Sequence, residues 1–350
     1  MKKTAAILTC VLALAVITAG ILGAQQQPAP AAPAASPAPP LWAFPVAPAA
    51  PRGAGGGAGG GGGAGRGGAP AAPADTSPKS VPGTSVTLTL QQVRDTYNIP
   101  DWHPDGHPAM PEIVKNGRRT GVFACGYCHL PNGQGRPENS SVAGLPAEYI
   151  VQQMADFKNG LRKSSESRLG PQNLMVNIGK AATDAEVQAA AEYFSKLKLK
   201  PWIRVVETAN VPKTRIAGGM FIALEDGEKE PIGNRIIEVP EDLERTELRD
   251  DASGFIAYAP VGSIRKGEAL AAGGAGKTTA CAICHGAGLR GIGPVPSIAG
   301  RSPSQMARQL WDMQHGARNG PWTQLMKPVV AKLTEEDLVS ITAYLASLKP

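Results

Sequence analysis

Cys125-Gly126-Tyr127-Cys128-His129 and Cys281-Ala282-Ile283-Cys284-His285 are two instances of C-x-x-C-H, 156 residues apart. Two thiols three positions apart can each form a thioether to a vinyl group of one porphyrin. The histidine that follows can give an imidazole nitrogen to its iron. Together the motifs use four of the five cysteines, and the fifth, Cys10, lies in an N-terminal leader. The reading is two covalently attached haem c groups, one on Cys125, Cys128 and His129 and one on Cys281, Cys284 and His285. Zinc, disulfides and a redox-active pair are the rivals. Two C-x-x-C pairs can supply a four-thiolate zinc site, but such a site has no use for the following histidines. Disulfides suit an exported chain, although none is required once four thiols are alkylated. A thioredoxin-like pair wants a βαβ setting that neither motif has.

Outward from the motifs, the chain repeats itself. Ser141-Val142-Ala143-Gly144 and Ser297-Ile298-Ala299-Gly300 match at the offset of 156, as do Gly160 with Gly316 and Arg162 with Arg318. Nearer the ends the offset is 151, pairing Met175 with Met326 and Tyr193 with Tyr344. A shared order of features with one deletion means two domains of one kind. Each repeat is expected to end in a capped helix. Thr183 with Glu186 forms a capping box, and Thr334 precedes Glu335, Glu336 and Asp337. Val187, Ala190, Ala191, Phe194 and Leu197 line one face of the first helix, and Leu338, Ile341, Leu345 and Leu348 line the second. A helix starting around Gly267 precedes the second motif; Pro111 to Asn116 is its shorter counterpart.

A histidine on one side of an iron leaves the other side open. Met175 and Met326 are the candidates to fill it, at equivalent positions read as loops before the terminal helices. Thioether sulfur is soft and stays bound in both redox states. Met154, Met306 and Met313 lie at core-like helical spacing and are read as packing residues. His315 faces Asn159 in the alignment, and His103 and His107 read as loop histidines.

The N-terminus carries an export signal: Lys2, Lys3, an apolar run from Ala5 to Gly23, and Ala24 as a cleavage point. An uncleaved membrane anchor is the competing reading. Residues 25–84 are dominated by Pro, Ala and Gly and are expected to be a disordered linker, either a tether or a plain spacer. Between the repeats, 201–261 reads as β-rich, with runs such as Ile203-Arg204-Val205-Val206 and Ile236-Ile237-Glu238-Val239. It is expected to be a small module or a clasp across both repeats. Its stretch 225–251 holds eleven acids against four bases, while the whole chain is +6 with scattered cations. That balance excludes a nucleic-acid binder and leaves open the steering of a charged redox partner.

On these residues the chain resembles the tandem two-haem class I cytochromes c, of the cytochrome c4 kind, over roughly 111–200 and 262–350. The resemblance implies a mainly α fold of two cytochrome c-like helical domains in tandem, 85–200 and 262–350, with the β-rich insert between them. It implies electron transfer between periplasmic or membrane redox partners. It also implies a proline carbonyl that holds the ligand imidazole, mapped here onto Pro294. In the first repeat Pro137 falls one place out of the offset. Two alternatives remain: a two-haem redox enzyme, such as a peroxidase or sulfur-compound dehydrogenase, and a cytochrome subunit of a dehydrogenase or oxidase complex. A methionine in each repeat and the lack of a spare mature cysteine favour the carrier over the enzyme.

Overall fold

The computed structural model describes residues 37–47, 75–119 and 121–350. The expected leader and the Gly-Ala stretch 53–65 lie outside them. The first repeat contains α1 (Leu90–Val93), α2 (Glu112–Lys115), α3 (Cys125–His129), α4 (Ala147–Lys158), α5 (Gly170–Ala181) and α6 (Asp184–Ser195). Thr183 and Glu186 close the capping box that starts α6. Ala190, Phe194 and Leu197 bury the expected face against Ile113, Val114, Val122 and Ile178.

Seven strands follow. β1 (Ile203–Glu207) runs parallel to β7 (Phe255–Ala259), and β6 (Ile237–Pro240) runs antiparallel on the other side of β7. β2 (Asn210–Pro212) pairs with β5 (Lys229–Pro231), and β3 (Thr214–Ala217) with β4 (Met220–Ala223). The β3–β4 turn uses Gly218 and Gly219 at φ 58° and 84°, the left-handed pair a tight hairpin requires. One short helix, α7 (Leu243–Glu247), interrupts the insert.

The second repeat holds α8 (Ser263–Gly273), α9 (Ala282–His285), α10 (Pro303–Gln314), α11 (Lys327–Val330) and α12 (Glu335–Ser347). Helix α8 begins four residues before the expected Gly267. Gly267 is instead its crossing point with α12, where a Cβ would lie 2.0 Å from the Ser340 carbonyl oxygen. Thr334 caps α12 with Asp337, and Leu338, Ile341 and Leu345 bury the expected face. Met306 and Met313 are core residues, as read from the sequence.

The insert is a clasp. Ile203, Val205, Ala257 and Ala259 join the second repeat's core, while the turn at 250–253 bonds to the loop after the first motif. The described residues from Ala38 to Pro350 pack as one unit, and no helix among the described residues is long and apolar enough to cross a membrane.

One expectation fails within the linker. Trp42, Ala43 and Phe44 are buried in the second repeat's core. Trp42 donates from Nε1 to Glu335 at 2.7 Å, and Arg308 donates to the Ala43 carbonyl at 2.8 Å. Two aromatic side chains, each able to bury roughly 150–250 Å², turn this short stretch of a Pro-rich segment into an anchor.

Candidate functional site

Both motifs form one turn of helix, so cysteines three apart share a face. Leu130 (φ 63°) and Gly286 (φ 74°) then reverse the chain through left-handed backbone. The loops that follow are pinned alike. Gly135 donates to the His129 carbonyl at 2.9 Å and Gly291 to that of His285 at 2.7 Å. Val142 and Ile298 donate to the carbonyls of Gly133 and Leu289. The offset of 156 is thus reproduced bond by bond.

These loops bring a carbonyl to each imidazole. His129 donates from Nδ1 to Ser140 and His285 from Nδ1 to Pro296, both at 2.8 Å. A carbonyl only accepts, so the proton sits on Nδ1 and Nε2 keeps its lone pair. Burial pushes both imidazoles below the ordinary histidine value, which favours that neutral form. The acceptors correct the expectation for Pro294 and Pro137. The tight Ile292–Val295 bridge carries the chain past Pro294 before a carbonyl faces the ring. Ser140 does the same in the first repeat, so the position needs a carbonyl and no proline. Pro137 has another role, accepting a hydrogen bond from Arg308.

Cys125, Cys128, Cys281 and Cys284 are all free thiols. Burial pushes Cys125 up to about 12 and raises Cys128 and Cys281. Among the described residues no three of these thiols and imidazoles converge on a common point. Thiols that do not converge do not suit a four-thiolate zinc site. Unpaired thiols beside an imidazole with a bare Nε2 fit a haem held by thioether bonds.

Met175 lies on α5 rather than in a loop, because Pro171 and the run after it start a helix at Gly170. Met326 sits between a 3-10 turn, Pro321–Leu325, and α11. Both are half-buried. Met175 packs on the same core as Cys125, and Met326 on the same core as Cys281. His315 stacks on Trp311 and bonds to its carbonyl. His107 bonds to Asp101, and His103 to Asp250.

The Gly-x-Arg ends of α4 and α10 meet. Arg162 donates to Gln153 at 3.1 Å and to Gln309 at 2.9 Å; Arg318 donates to Gln309 at 3.0 Å and to Gln153 at 2.8 Å. Burial pushes Arg162 down to about 10. Arg301, likewise pushed down to about 10, donates to the carbonyls of Ser141 and Ala143. Sequence reasoning matched Arg162 with Arg318 without seeing that matched residues would face each other.

The two motifs differ in cover. The Arg249 guanidinium lies 3.6 Å from the Tyr127 ring centroid, and its Nη1 donates to the Tyr127 carbonyl at 2.7 Å. Asn132 and Gln134 donate to the carbonyls of Asp251 and Ser253. At the second motif Cys284 is exposed, Ile283 is 72% exposed and Ile292 62%.

Comparison with known proteins agrees with this geometry. A family model described as cytochrome c oxidase, cbb3-type, subunit III matches residues 264–345. Cytochrome c-554(547) of Halothiobacillus neapolitanus is 34% identical over 86 residues, 94% of its length and 21% of this chain. The chain belongs to the c-type cytochromes. A thiosulfate dehydrogenase electron acceptor of Thiomonas intermedia (strain K12) is 25% identical over 227 residues, 64% of this chain and 78% of that protein. Cytochrome c4 of Pseudomonas aeruginosa is 24% identical over 231 residues, 64% of this chain and 83% of that protein.

Proposed function

We propose that this protein is an exported two-haem electron carrier of the cytochrome c4 kind. Cys125 and Cys128 hold one haem c by thioether bonds, and Cys281 and Cys284 hold the second. With haem bound, His129 Nε2 and Met175 would ligate one iron, and His285 Nε2 and Met326 the other. The haem irons, when bound, supply a one-electron couple; the chain sets their surroundings and limits access to them. The observation that carries this reading is the pair of 2.8 Å bonds from His129 to Ser140 and from His285 to Pro296. They leave a bare Nε2 on the histidine that follows the two free thiols of each motif. The shared cores of Met175 with Cys125 and of Met326 with Cys281 support a sulfur ligand in each.

The repeats act as two haem domains, 85–200 and 262–350, clasped by 201–261. The leader, 1–24, exports the chain to the periplasm, where it stays tethered if the leader is not cleaved. The partners are redox proteins, a donor and an acceptor in the periplasm or membrane. The name of the Thiomonas relative makes a sulfur-compound dehydrogenase a fitting donor. Replacing Met175 or Met326 by Ala should each abolish half of the ferric sulfur-to-iron absorbance band and open one iron to carbon monoxide. An unchanged spectrum in either variant refutes that ligand. Carbon monoxide binding to the reduced, unaltered protein refutes the carrier reading in favour of an enzyme.

A further inference from the structure

Away from both motifs, His103 Nε2 lies 2.9 Å from Asp250 Oδ1 and 3.8 Å from Asp251 Oδ1. These three donor atoms all lie within 4.8 Å of one another. The carboxylates are deeply buried, Asp250 at 2% exposure and Asp251 at 4%. Asp250 is held from behind: Arg245 Nε donates to its Oδ2 at 2.7 Å, and the Ala252 amide to its Oδ1 at 2.9 Å. Asp251 is not, for its Oδ1 is buried without a hydrogen bond. An unpaired buried carboxylate oxygen is costly unless a cation or proton meets it. His103 and Asp251 also line a cavity of about 490 Å³ that can supply water.

We propose that His103 Nε2, Asp250 Oδ1 and Asp251 Oδ1 bind one Zn²⁺, with water from the cavity completing its coordination. The donor set decides the metal. One imidazole with two carboxylates suits zinc, whereas Mg²⁺ and Ca²⁺ prefer oxygen alone. Arg245 and the Ala252 amide orient the Asp250 carboxylate as outer partners do at built metal sites. Uptake displaces the proton that Nε2 shares with Asp250. The ligands come from two distant segments, and the carbonyls of Asp251 and Ser253 hold Asn132 and Gln134. Zinc therefore staples the N-terminal segment and the insert onto the loop behind the first motif.

The test is calorimetric titration of the full, haem-loaded protein after chelator treatment, with Zn²⁺ and then with Mg²⁺. One zinc per chain should bind and raise the melting temperature. Asp251→Asn, which keeps the side-chain volume, and His103→Ala should each weaken binding at least about tenfold and lose the thermal shift. Their melting temperatures without metal report whether they fold; if Asp251→Asn does not, the half-exposed His103→Ala decides. No zinc uptake, variants that bind as tightly as the parent, or equal uptake of Mg²⁺ would overturn the site.

Discussion

The two motifs are built from the same bonds and given opposite surroundings. From Val122 to Ala143 every residue is buried or half-buried, whereas Ile283, Cys284, Arg290 and Ile292 are exposed. At the offset of 156 their counterparts are Tyr127, Cys128, Gln134 and Arg136. Tyr127 lies under Arg249, Gln134 is bonded to Ser253, and Arg136 donates to the Thr246 carbonyl at 3.3 Å. The insert thus closes over the first motif alone. The second repeat receives the anchor at Trp42 and Phe44 instead, which fills its core and leaves its motif open. A repeated scaffold makes two unlike sites through the segments that lie between and before its copies. In the proposed carrier, the open second motif is where partners are expected to exchange electrons.

The largest expected effect separates the two sites outright. Cys281→Ser with Cys284→Ser should halve the pigment that survives acid-acetone extraction and abolish fast exchange with a protein partner. Cys125→Ser with Cys128→Ser should halve the pigment and leave fast exchange intact. Pigment per chain and stopped-flow reduction check both, and equal loss of exchange in the two variants breaks the comparison.

Next in size is the anchor. Trp42→Ala removes a side chain only 5% exposed and its bond to Glu335. Such a truncation costs about 3–5 kcal/mol. Thermal unfolding followed at the haem bands should show the second repeat weakened and the first little changed. Loss of stability spread equally over both would mean that the anchor serves the whole unit.

Part of this contrast was legible in the sequence. The motifs, the 156-residue offset, both capped terminal helices and the β-rich clasp rest on local signals: fixed spacing, Thr followed three residues on by an acid, and apolar period. What escaped depends on contacts between distant segments. Nothing local to Leu41-Trp42-Ala43-Phe44 says that a Pro-rich stretch will find a groove beside α12. Met175, read as a loop residue, lies on α5 instead, because proline in the first turn starts a helix. The resemblance implies an acceptor at Pro294, whereas the hydrogen bond needs only a carbonyl, and every residue supplies one. The buried Arg162–Arg318 pair was visible as an alignment and invisible as an interface.

Smaller, and aimed at the cover itself, are single changes at the two motifs. Arg249→Ala should uncover Tyr127 and speed reduction of the first site by a small hydrophilic reductant several-fold. Ile283→Asp should slow exchange with the protein partner about tenfold, the kinetic equivalent of about 1.4 kcal/mol, and leave the small reductant unaffected. Biphasic stopped-flow traces resolve the sites. If Ile283→Asp leaves partner kinetics unchanged, the open motif is not the port.

The smallest effect concerns how the insert grips each side. On the loop after the first motif it offers the carbonyls of Thr246, Asp251 and Ser253, which do not titrate. On the second repeat it offers Glu238, which accepts from the hydroxyls of Ser302 at 2.7 Å and Ser304 at 2.6 Å with Arg308 nearby. Burial holds this carboxyl above the ordinary glutamate value despite those partners. The unfolded chain therefore ionises first as pH rises. Stability should fall from the ordinary glutamate value up to the folded one and stay level above it. Glu238→Gln cannot ionise and should flatten that slope. Unfolding across a pH series, with amide exchange read at α10 and at the 132–136 loop, should place the loosening that Glu238→Gln removes at α10 and not at the loop. Equal loosening of the first-repeat loop would show that the clasp moves as one piece, and that its two grips are not independent.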